Sequence, residues 1–264
     1  MKLRIATYNI HKGVSSFGRL SRIHPMKQAL ASMQADVIFL QEVQGRHDAL
    51  ALRHTTNWPA QAQHEFLAGE DQHSAYGVNA QYDHGHHGNA LLSNFPIASS
   101  HNRDVSDHAY ESRGILHCVV QTPAVPVHCY VVHLGLFAGS RKRQAAALME
   151  AVKATAPNDE PVIIAGDFND WGNRLSDDLR RTLGVVEVFD ERAGKRGIGS
   201  VLRKLSGRAA KPQAARTFPA AMPMLQLDRM YVRGFTVESA EVLRGPVWSK
   251  LSDHAPIIAT LNLK

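Results

Sequence analysis

The sequence has only two cysteines and no long apolar run. Cys118 and Cys129 are too few for a disulfide framework and lie in apolar, strand-like runs, so we expect reduced, buried thiols. No apolar run approaches the roughly 18 residues needed to span a bilayer. The N-terminal MKLRIATYNIHKG turns polar too soon for a signal peptide. These absences predict a cytoplasmic protein without a transmembrane segment.

Acidic residues are also absent from one stretch that accounts for the net positive charge of the chain. The formal net charge is +6, and residues 192–216 contain eight Lys and Arg but no Asp or Glu. Much Gly and Ala and few aromatic residues predict a flexible basic insertion there. The charge favours an acidic partner: nucleic acid, an anionic lipid surface or a polyphosphorylated small molecule. A solvated loop that contacts nothing explains it equally well, and no interleaved aromatic residues support base stacking.

The remaining sequence is ordinary for a globular protein, with 44% hydrophobic and 20% charged residues among 264. No internal repeat or linker is visible, which predicts one domain over residues 1–264, and we expect a monomer. Helical periodicity predicts helices over residues 25–34, 140–155 and 175–183, the second capped by Ser140. Apolar runs predict strands over residues 3–10, 36–40, 74–82, 89–92, 113–121, 127–134, 185–189, 225–232, 235–243 and 257–263, and one beginning at Pro161.

Polar side chains recur where these apolar runs end. Taken singly, each has an ordinary explanation: Asn9 as a turn cap, Glu42 as a helix start, or Asp228 paired with Arg229. Their recurrence predicts that two packed, strand-rich layers bring the strand ends to one rim. The set comprises Asn9, Glu42, His133, Asp167, Asn169, Asp228, Asp253 and His254. Asp167 and Asn169 can point the same way because residues two apart on an extended chain share a face.

Seven motifs resemble, in order, those of the endonuclease/exonuclease/phosphatase superfamily: TYNIHKG, LQEV, GNALLS, VHLGL, GDFND, LDRMYV and SDHAP. This superfamily includes DNase I-like nucleases, abasic endonucleases of the exonuclease III type, neutral sphingomyelinases and inositol polyphosphate 5-phosphatases. The match runs from Lys2 to the C-terminus, and its wording is most similar to small bacterial members of the YbhP type. The resemblance implies an α/β (α+β) fold, a DNase I-like four-layer α/β/β/α sandwich.

The resemblance also implies roles for these side chains. Glu42 would be the main metal ligand, with Asn9 and Asp253 adding oxygens, and such hard donors suit Mg²⁺ or Mn²⁺. Asp167 would orient or deprotonate the attacking water, and Asn169 would hold that water or a phosphate oxygen. Beside the phosphate, we expect His254 oriented by Asp228, and His133 as a donor to the phosphate or the leaving group. His133 favours the DNase I and sphingomyelinase branches over the abasic endonucleases.

Five further residues are weaker candidates. Arg113 lies where the family often has a basic residue near the phosphate, but an ion pair with Glu111 explains it equally well. Asn89 is a candidate to support the site from behind. Trp171 could stack on a base or cover the cleft rim, although core packing is the commoner role. The clustered His86 and His87 lie in a predicted HGHHG loop, where solvated side chains are the alternative to a place in the cleft.

The resemblance implies a Mg²⁺- or Mn²⁺-dependent phosphodiesterase that uses in-line attack by water. Nucleic acid is the slightly favoured substrate. The alternatives are a sphingomyelinase-like phospholipid headgroup phosphodiesterase, a phosphatase, and a non-catalytic nucleic-acid-binding protein on the same fold. Asp253 and His254 are adjacent and would point apart on an extended chain. If both face one cleft, the chain must bend at Asp253.

Overall fold

Two six-stranded β-sheets lie face to face, with helices on both outer sides. A computed structural model describes residues 1–15, 20–108, 111–190 and 215–264. The strands within these ranges are β1 (Lys2–Asn9), β2 (Val37–His47), β3 (His73–Tyr82), β4 (Gly85–Ser93), β5 (Ile97–Asp104), β6 (Gly114–Gln121), β7 (Pro126–His133), β8 (Val162–Asp167), β9 (Val186–Glu187), β10 (Asp228–Arg233), β11 (Phe235–Val242) and β12 (Ile257–Leu263).

Both sheets are mixed and contain a parallel pair near the centre. The first sheet has the order β11-β12-β1-β2-β4-β3, and the second has the order β5-β6-β7-β8-β10-β9. The β1–β2 and β7–β8 pairs are parallel, and the other neighbours are antiparallel. The helices are α1 (Ile23–Ser32), α2 (Asp48–Arg53), α3 (Gln63–Ala68), α4 (Ala138–Thr155), α5 (Ser176–Leu183) and α6 (Pro246–Leu251).

Three apolar layers hold the sandwich together, because the central strands are buried on both faces. In β2, Val37 and Phe39 face the layer between the sheets, whereas Ile38 and Leu40 face the outer layer with α1, α3 and α6. The other outer layer packs α4 and α5 against the second sheet. The predicted α/β/β/α sandwich is therefore confirmed. No helix in the described ranges is long and apolar enough to cross a membrane.

Several element boundaries differ from the sequence predictions. The HGHHG stretch belongs to β4 rather than to a loop, because its backbone pairs with β2 and β3. β10 begins at Asp228 rather than at residue 225. β9 has only two residues, Val186 and Glu187. Short helices α2, α3 and α6, and strand β5, lie where no element was predicted. Of the predicted basic insertion, residues 192–214 lie outside the described residues.

Ser140 does not cap α4, which begins earlier, with Phe137 at the cap position. The Ser140 hydroxyl instead donates to Asp107 Oδ2 at 2.6 Å. Asp107 comes from another loop, so local sequence could not indicate this partner. Both cysteines are free and buried, as predicted.

Candidate active site

The parallel pairs bring their carboxyl ends to one edge of the sandwich. Asn9 ends β1, and His133 at the end of β7 lies opposite Asp167 at the end of β8. β10 starts at the same edge, because Asp228 lies opposite Asp167 in the antiparallel register. Asn9 Nδ2 donates to Asp167 Oδ2 at 3.2 Å and so joins the two sheets at this rim. The predicted convergence of these strand ends is present.

Asp167 is the centre of the site. Its Oδ2 lies 3.6 Å from His133 Nε2 and 3.7 Å from His254 Nε2. Burial, and then the charge of Asp228, raise the pKa of the Asp167 carboxyl above its usual range, although the nearby His254 opposes this. A carboxyl with a raised pKa can accept and release a proton near neutral pH.

Asn169 is held against Asp167 by its own backbone. Its φ is +49°, a left-handed conformation that asparagine tolerates better than most residues. The Asn169 N–H donates to Asp167 Oδ1 at 2.9 Å, and Asn169 Nδ2 donates to the Leu134 carbonyl at 2.9 Å. Asn169 therefore orients the carboxyl and ties the end of β8 to the loop that follows β7.

His254 forms a buried pair with Asp228. Its Nδ1 donates to Asp228 Oδ2 at 2.8 Å, which leaves Nε2 facing Asp167. Burial lowers the pKa of His254, but the Asp228 and Asp167 carboxylates outweigh it and raise that pKa well above the usual value. The imidazole is therefore cationic at neutral pH. Phe218 packs against it, with ring centroids 5.0 Å apart.

His133, in contrast, favours the neutral form. Burial, and then the charges of Arg113 and His254, hold the pKa of His133 well below its usual range. A neutral and a cationic imidazole thus flank the same carboxyl. The opposite pKa shifts thus place one neutral, hydrogen-bonding imidazole and one positively charged imidazole in a single cleft.

Oxygen donors from the first sheet lie next to this group. Glu42 occupies an irregularity of β2 between Leu40 and Val43, with φ of +55°. Such bulges redirect side chains and are common beside active sites. Glu42 Oε1 lies 3.3 Å from Asn9 Nδ2. Glu42 is a strand residue, not the start of a solvated helix.

Asp253 joins Glu42 and Asn9, and we call these three residues the oxygen-donor set. The chain bends at Asp253 and His254, as predicted. Ser252 Oγ stabilises the bend by donating to the Asn9 carbonyl at 2.7 Å and accepting the His254 N–H at 3.2 Å. Asp253 Oδ1 lies 3.3 Å from His11 Nδ1. The bend lets adjacent residues serve both sides of the cleft.

The oxygen-donor set fits a hard divalent cation. Side-chain exposure is 20% for Glu42 and 32% for Asp253, so their oxygens remain accessible from the cleft. Asp167, Asp228 and His254 also offer ligand atoms within 4.8 Å of one another. Their hydrogen bonding already accounts for that proximity, because Asp228 engages His254 Nδ1. The oxygen-donor set is therefore a stronger candidate for a metal site than this buried trio.

The Endonuclease/Exonuclease/phosphatase family profile matches residues 6–254. The chain belongs to this family. YbhP from Escherichia coli strain K12, an uncharacterized protein, is 39% identical over 263 residues, covering 98% of this chain and 96% of YbhP. The resemblance inferred from the motifs is confirmed. Members of the family are generally hydrolases that act on phosphoesters.

Solved structures of the Endonuclease/Exonuclease/phosphatase family share the fold. The endonuclease/exonuclease/phosphatase from Bacteroides vulgatus has a TM-score of 0.72 and 16% identity, with 100% of each chain covered. The mannosyl-6-phosphatase Bt3783 of Bacteroides thetaiotaomicron has a TM-score of 0.70 and 16% identity, covering 99% of this chain and 100% of that one. At such identities, these likenesses establish the sandwich alone.

Two of the weaker candidates, Arg113 and Asn89, lie behind the candidate active site. Arg113 Nε donates to the Leu134 carbonyl at 3.2 Å, and its guanidinium lies 3.7 Å from Glu111 Oε1. The ion pair considered from sequence is present, and Arg113 also lowers the pKa of the neighbouring His133. Asn89 is fully buried and donates to the Gly114 carbonyl at 2.9 Å. It joins the two sheets next to Arg113.

Trp171 is at the rim, because 52% of its surface is exposed and core packing is therefore wrong for it. Arg141 lies over one face of the indole, with its Cζ 4.8 Å from the ring centroid.

Lys12 and His11 lie near the cleft but were not predicted from the sequence, and His87 was predicted in a loop but lies on a strand. Lys12 has φ of +58°, and its Nζ lies 3.9 Å from Glu42 Oε2. His11 pairs with Asp253. His87 lies on β4, and burial, followed by the charge of Lys12, lowers its pKa to about 4. The NIHKG and GHHGNA motifs were the available signals, but their glycines indicated loops.

Proposed function

We propose that this chain is a Mg²⁺- or Mn²⁺-dependent phosphodiesterase that hydrolyses its substrate by in-line attack of water. One observation carries the proposal: the buried Asp167 carboxyl lies within 4 Å of a neutral and a cationic imidazole. That combination supplies a proton acceptor, a positive charge and a hydrogen-bond donor around one position. These are the requirements for attack on a phosphoester and for stabilising its charged transition state.

In this mechanism, Asp167 orients the water and accepts its proton, while Asn169 fixes the direction of the carboxyl. His254, held by Asp228, places its Nε2–H against the phosphate oxygens, whose charge grows as the water oxygen bonds to phosphorus. His133 donates a hydrogen bond to the phosphate or to the departing oxygen, whose bond to phosphorus breaks as the bond to the water oxygen forms. Asn9 aligns Asp167 through the 3.2 Å hydrogen bond between the sheets.

Glu42, Asn9 and Asp253 would hold the cation, with Glu42 as the main ligand. When bound, Mg²⁺ or Mn²⁺ supplies Lewis-acid stabilisation of phosphate oxygens. Lys12 lies 3.9 Å from Glu42 Oε2, and His11 lies 3.3 Å from Asp253 Oδ1.

Two classes of diester compete as the substrate. The charge of residues 192–216 favours nucleic acid, the first candidate from sequence, although residues 192–214 lie outside the described ranges. Exposed apolar side chains on loops beside Asp167 favour a phospholipid headgroup. A related fold serves a mannosyl-6-phosphatase, so a phosphomonoester also belongs among the test substrates. We further propose a cytoplasmic monomer, and the free, buried cysteines support the reducing compartment.

The proposal is tested with bis-p-nitrophenyl phosphate and the corresponding monoester, each assayed with Mg²⁺, with Mn²⁺ and with EDTA. We expect metal-dependent release from the diester, abolished by EDTA and by Asp167→Asn. Faster hydrolysis of the monoester would make the protein a phosphatase. Release from neither substrate, combined with EDTA-insensitive binding of nucleic acid, would instead establish a non-catalytic binding protein.

A substrate panel then separates the diester classes. It comprises single- and double-stranded DNA, abasic DNA, RNA and anionic phospholipid, each incubated with the wild type and with Asp167→Asn. The physiological class should lose its metal-dependent turnover in the variant.

A further inference from the structure

Exposed apolar side chains concentrate on three loops around the candidate site. We call six of them the apolar rim: Leu136, Phe137, Trp171, Met222, Met224 and Leu225. Phe137 is 64% and Met222 is 66% exposed, values normally found for polar surface side chains. Large exposed apolar patches mark interaction sites, and these six side chains are candidates to form one.

Each of these loops is joined to a residue of the proposed mechanism. Leu136 and Phe137 follow His133, and Trp171 follows Asn169 by two positions. Asn169 Nδ2 bonds the Leu134 carbonyl, which links these two loops beside Asp167. The apolar side chains therefore border the cleft itself.

The third loop is an uncharged turn between Thr217 and Leu227. Phe218 and Leu225 pair across it through backbone hydrogen bonds, so Met222 and Met224 project from its tip. Two further bonds attach the turn to the catalytic segment: Ala220 N–H to the Asp253 carbonyl at 2.7 Å, and Ala255 N–H to the Thr217 carbonyl at 2.8 Å. Backbone hydrogen bonds therefore hold this apolar turn next to the segment that carries His254.

The exposed charges on these loops are all positive. Lys142, Arg174 and Arg216 are exposed and lie three to six residues along the chain from Phe137, Trp171 and Met222 respectively. Among residues 134–143, 168–175 and 215–227, the one acidic side chain is Asp170, which is 1% exposed. Apolar and aromatic side chains interspersed with Lys and Arg form the surface that binds anionic lipid headgroups and the acyl boundary below them.

We infer that the apolar rim docks on an anionic phospholipid bilayer and brings a lipid phosphodiester to Asp167. The substrate half of this inference rests on the proposed function; the docking half does not. The rim suits lipid better than nucleic acid, because Leu136, Met222, Met224 and Leu225 present no aromatic face to a base. Arg141 already covers one face of Trp171.

The docking surface is tested by flotation of the full chain, in EDTA, with two vesicle compositions. One is phosphatidylcholine alone, and the other is equal parts phosphatidylcholine and phosphatidylglycerol. We expect binding to the anionic vesicles, weakened but not abolished by high salt. Met222→Ser with Met224→Ser should reduce the vesicle partition coefficient roughly tenfold, because two apolar side chains no longer enter the bilayer. Leu52→Ser is the matched control, since Leu52 is 79% exposed on α2, outside these loops.

Three results would overturn the inference: no binding to anionic vesicles, binding that is unchanged in the double methionine variant, or equal losses in the Leu52 control. Binding of a single-stranded oligonucleotide that is lost in Trp171→Ala, without vesicle binding, would assign the rim to nucleic acid. The two proposals fail separately. Hydrolysis of the soluble diester without vesicle binding rejects the docking surface alone. EDTA-insensitive vesicle binding without any hydrolysis rejects the phosphodiesterase alone.

Discussion

The strand pairs β1–β2 and β7–β8 are both parallel, but the polar side chains at their ends differ in burial and in their contacts. In the second sheet, His133 is 7% and Asp167 is 2% exposed, and both belong to a network that includes Asp228. In the first sheet, Glu42 is partly exposed, and its nearest cation is 3.9 Å away. Apart from Asp228 Oδ1, which has no hydrogen-bond partner, the second-sheet group is closed by its own contacts, whereas the first-sheet carboxylates remain partly exposed to the cleft.

We propose that this difference corresponds to two functions. A buried network of fixed dipoles and charges stabilises a transition state without having to reorganise. Open carboxylates held by a bulge attract a cation and can adjust when it binds. The following substitutions test whether the second-sheet group performs the chemistry and the first-sheet group binds the metal.

We expect the largest effect from Asp167→Asn. The amide keeps the shape of the carboxyl but accepts no proton, so the rate of diester hydrolysis should fall by about 10³-fold, and added metal should not restore it. Turnover at saturating Mg²⁺ measures this. Asp170→Asn, in the same GDFND motif, is the control, because Asp170 Oδ2 accepts the Leu175 N–H and lies outside the proposed mechanism. Near-wild-type turnover in Asp167→Asn would contradict the proposed mechanism.

Glu42→Gln should weaken metal binding by roughly 10–100-fold while leaving the buried network intact. Its lost activity should therefore return as Mn²⁺ is raised, in contrast to Asp167→Asn. Calorimetric titration of the metal and metal-dependent rates provide the measurements, with the exposed Glu241→Gln as control. Unaltered metal affinity in Glu42→Gln would move the metal site away from the first sheet.

Asp228→Asn should reduce turnover by about 10²-fold, because it removes the carboxylate that orients and charges His254. The pKa of His254 should fall, since Asp228 is the largest of the charges that raise it. NMR titration of the His254 imidazole distinguishes this positioning role from simple loss of stability. An unshifted titration together with full activity would show that the 2.8 Å hydrogen bond is dispensable.

The smallest effect concerns Glu187, a buried second-sheet carboxyl away from the cleft. Burial raises its pKa to about 8 from 4.5. Between these values, the unfolded chain releases the proton before the folded chain does, so wild-type stability falls as pH rises through this window. Glu187→Gln should remove that fall and gain about 2 kcal/mol at pH 8. Thermal unfolding from pH 5 to 8 measures it.

Gln retains the oxygen that accepts the Phe189 N–H in wild type at 2.9 Å. The control is Glu238→Gln, at an exposed carboxyl whose pKa Lys2 lowers. A pH dependence of stability identical in wild type and Glu187→Gln would mean that burial alone does not shift this carboxyl, and would weaken the same argument for Asp167.

Much of the fold was visible because apolar runs, glycines and polar strand ends are local signals. Asp167, Asp228 and His133 were identifiable because each interrupts or ends an apolar strand. The HGHHG stretch was assigned wrongly because its glycines suggest a loop, whereas pairing with β2 and β3 makes it a strand. The bulge at Glu42 was hidden because positive φ in a non-glycine residue has no reliable sequence signature.

By itself, the sequence determined the family, the layer order and the kinds of chemical group at the strand ends, because these follow from motifs and from the periodicity of burial. Tertiary structure alone decided how those groups behave. The pKa values of His133 and His254 shift in opposite directions. Burial and Arg113 lower the pKa of His133, whereas the Asp228 and Asp167 carboxylates outweigh burial and raise that of His254. Desolvation and charge depend on distances between residues far apart in the chain, which residue spacing does not specify.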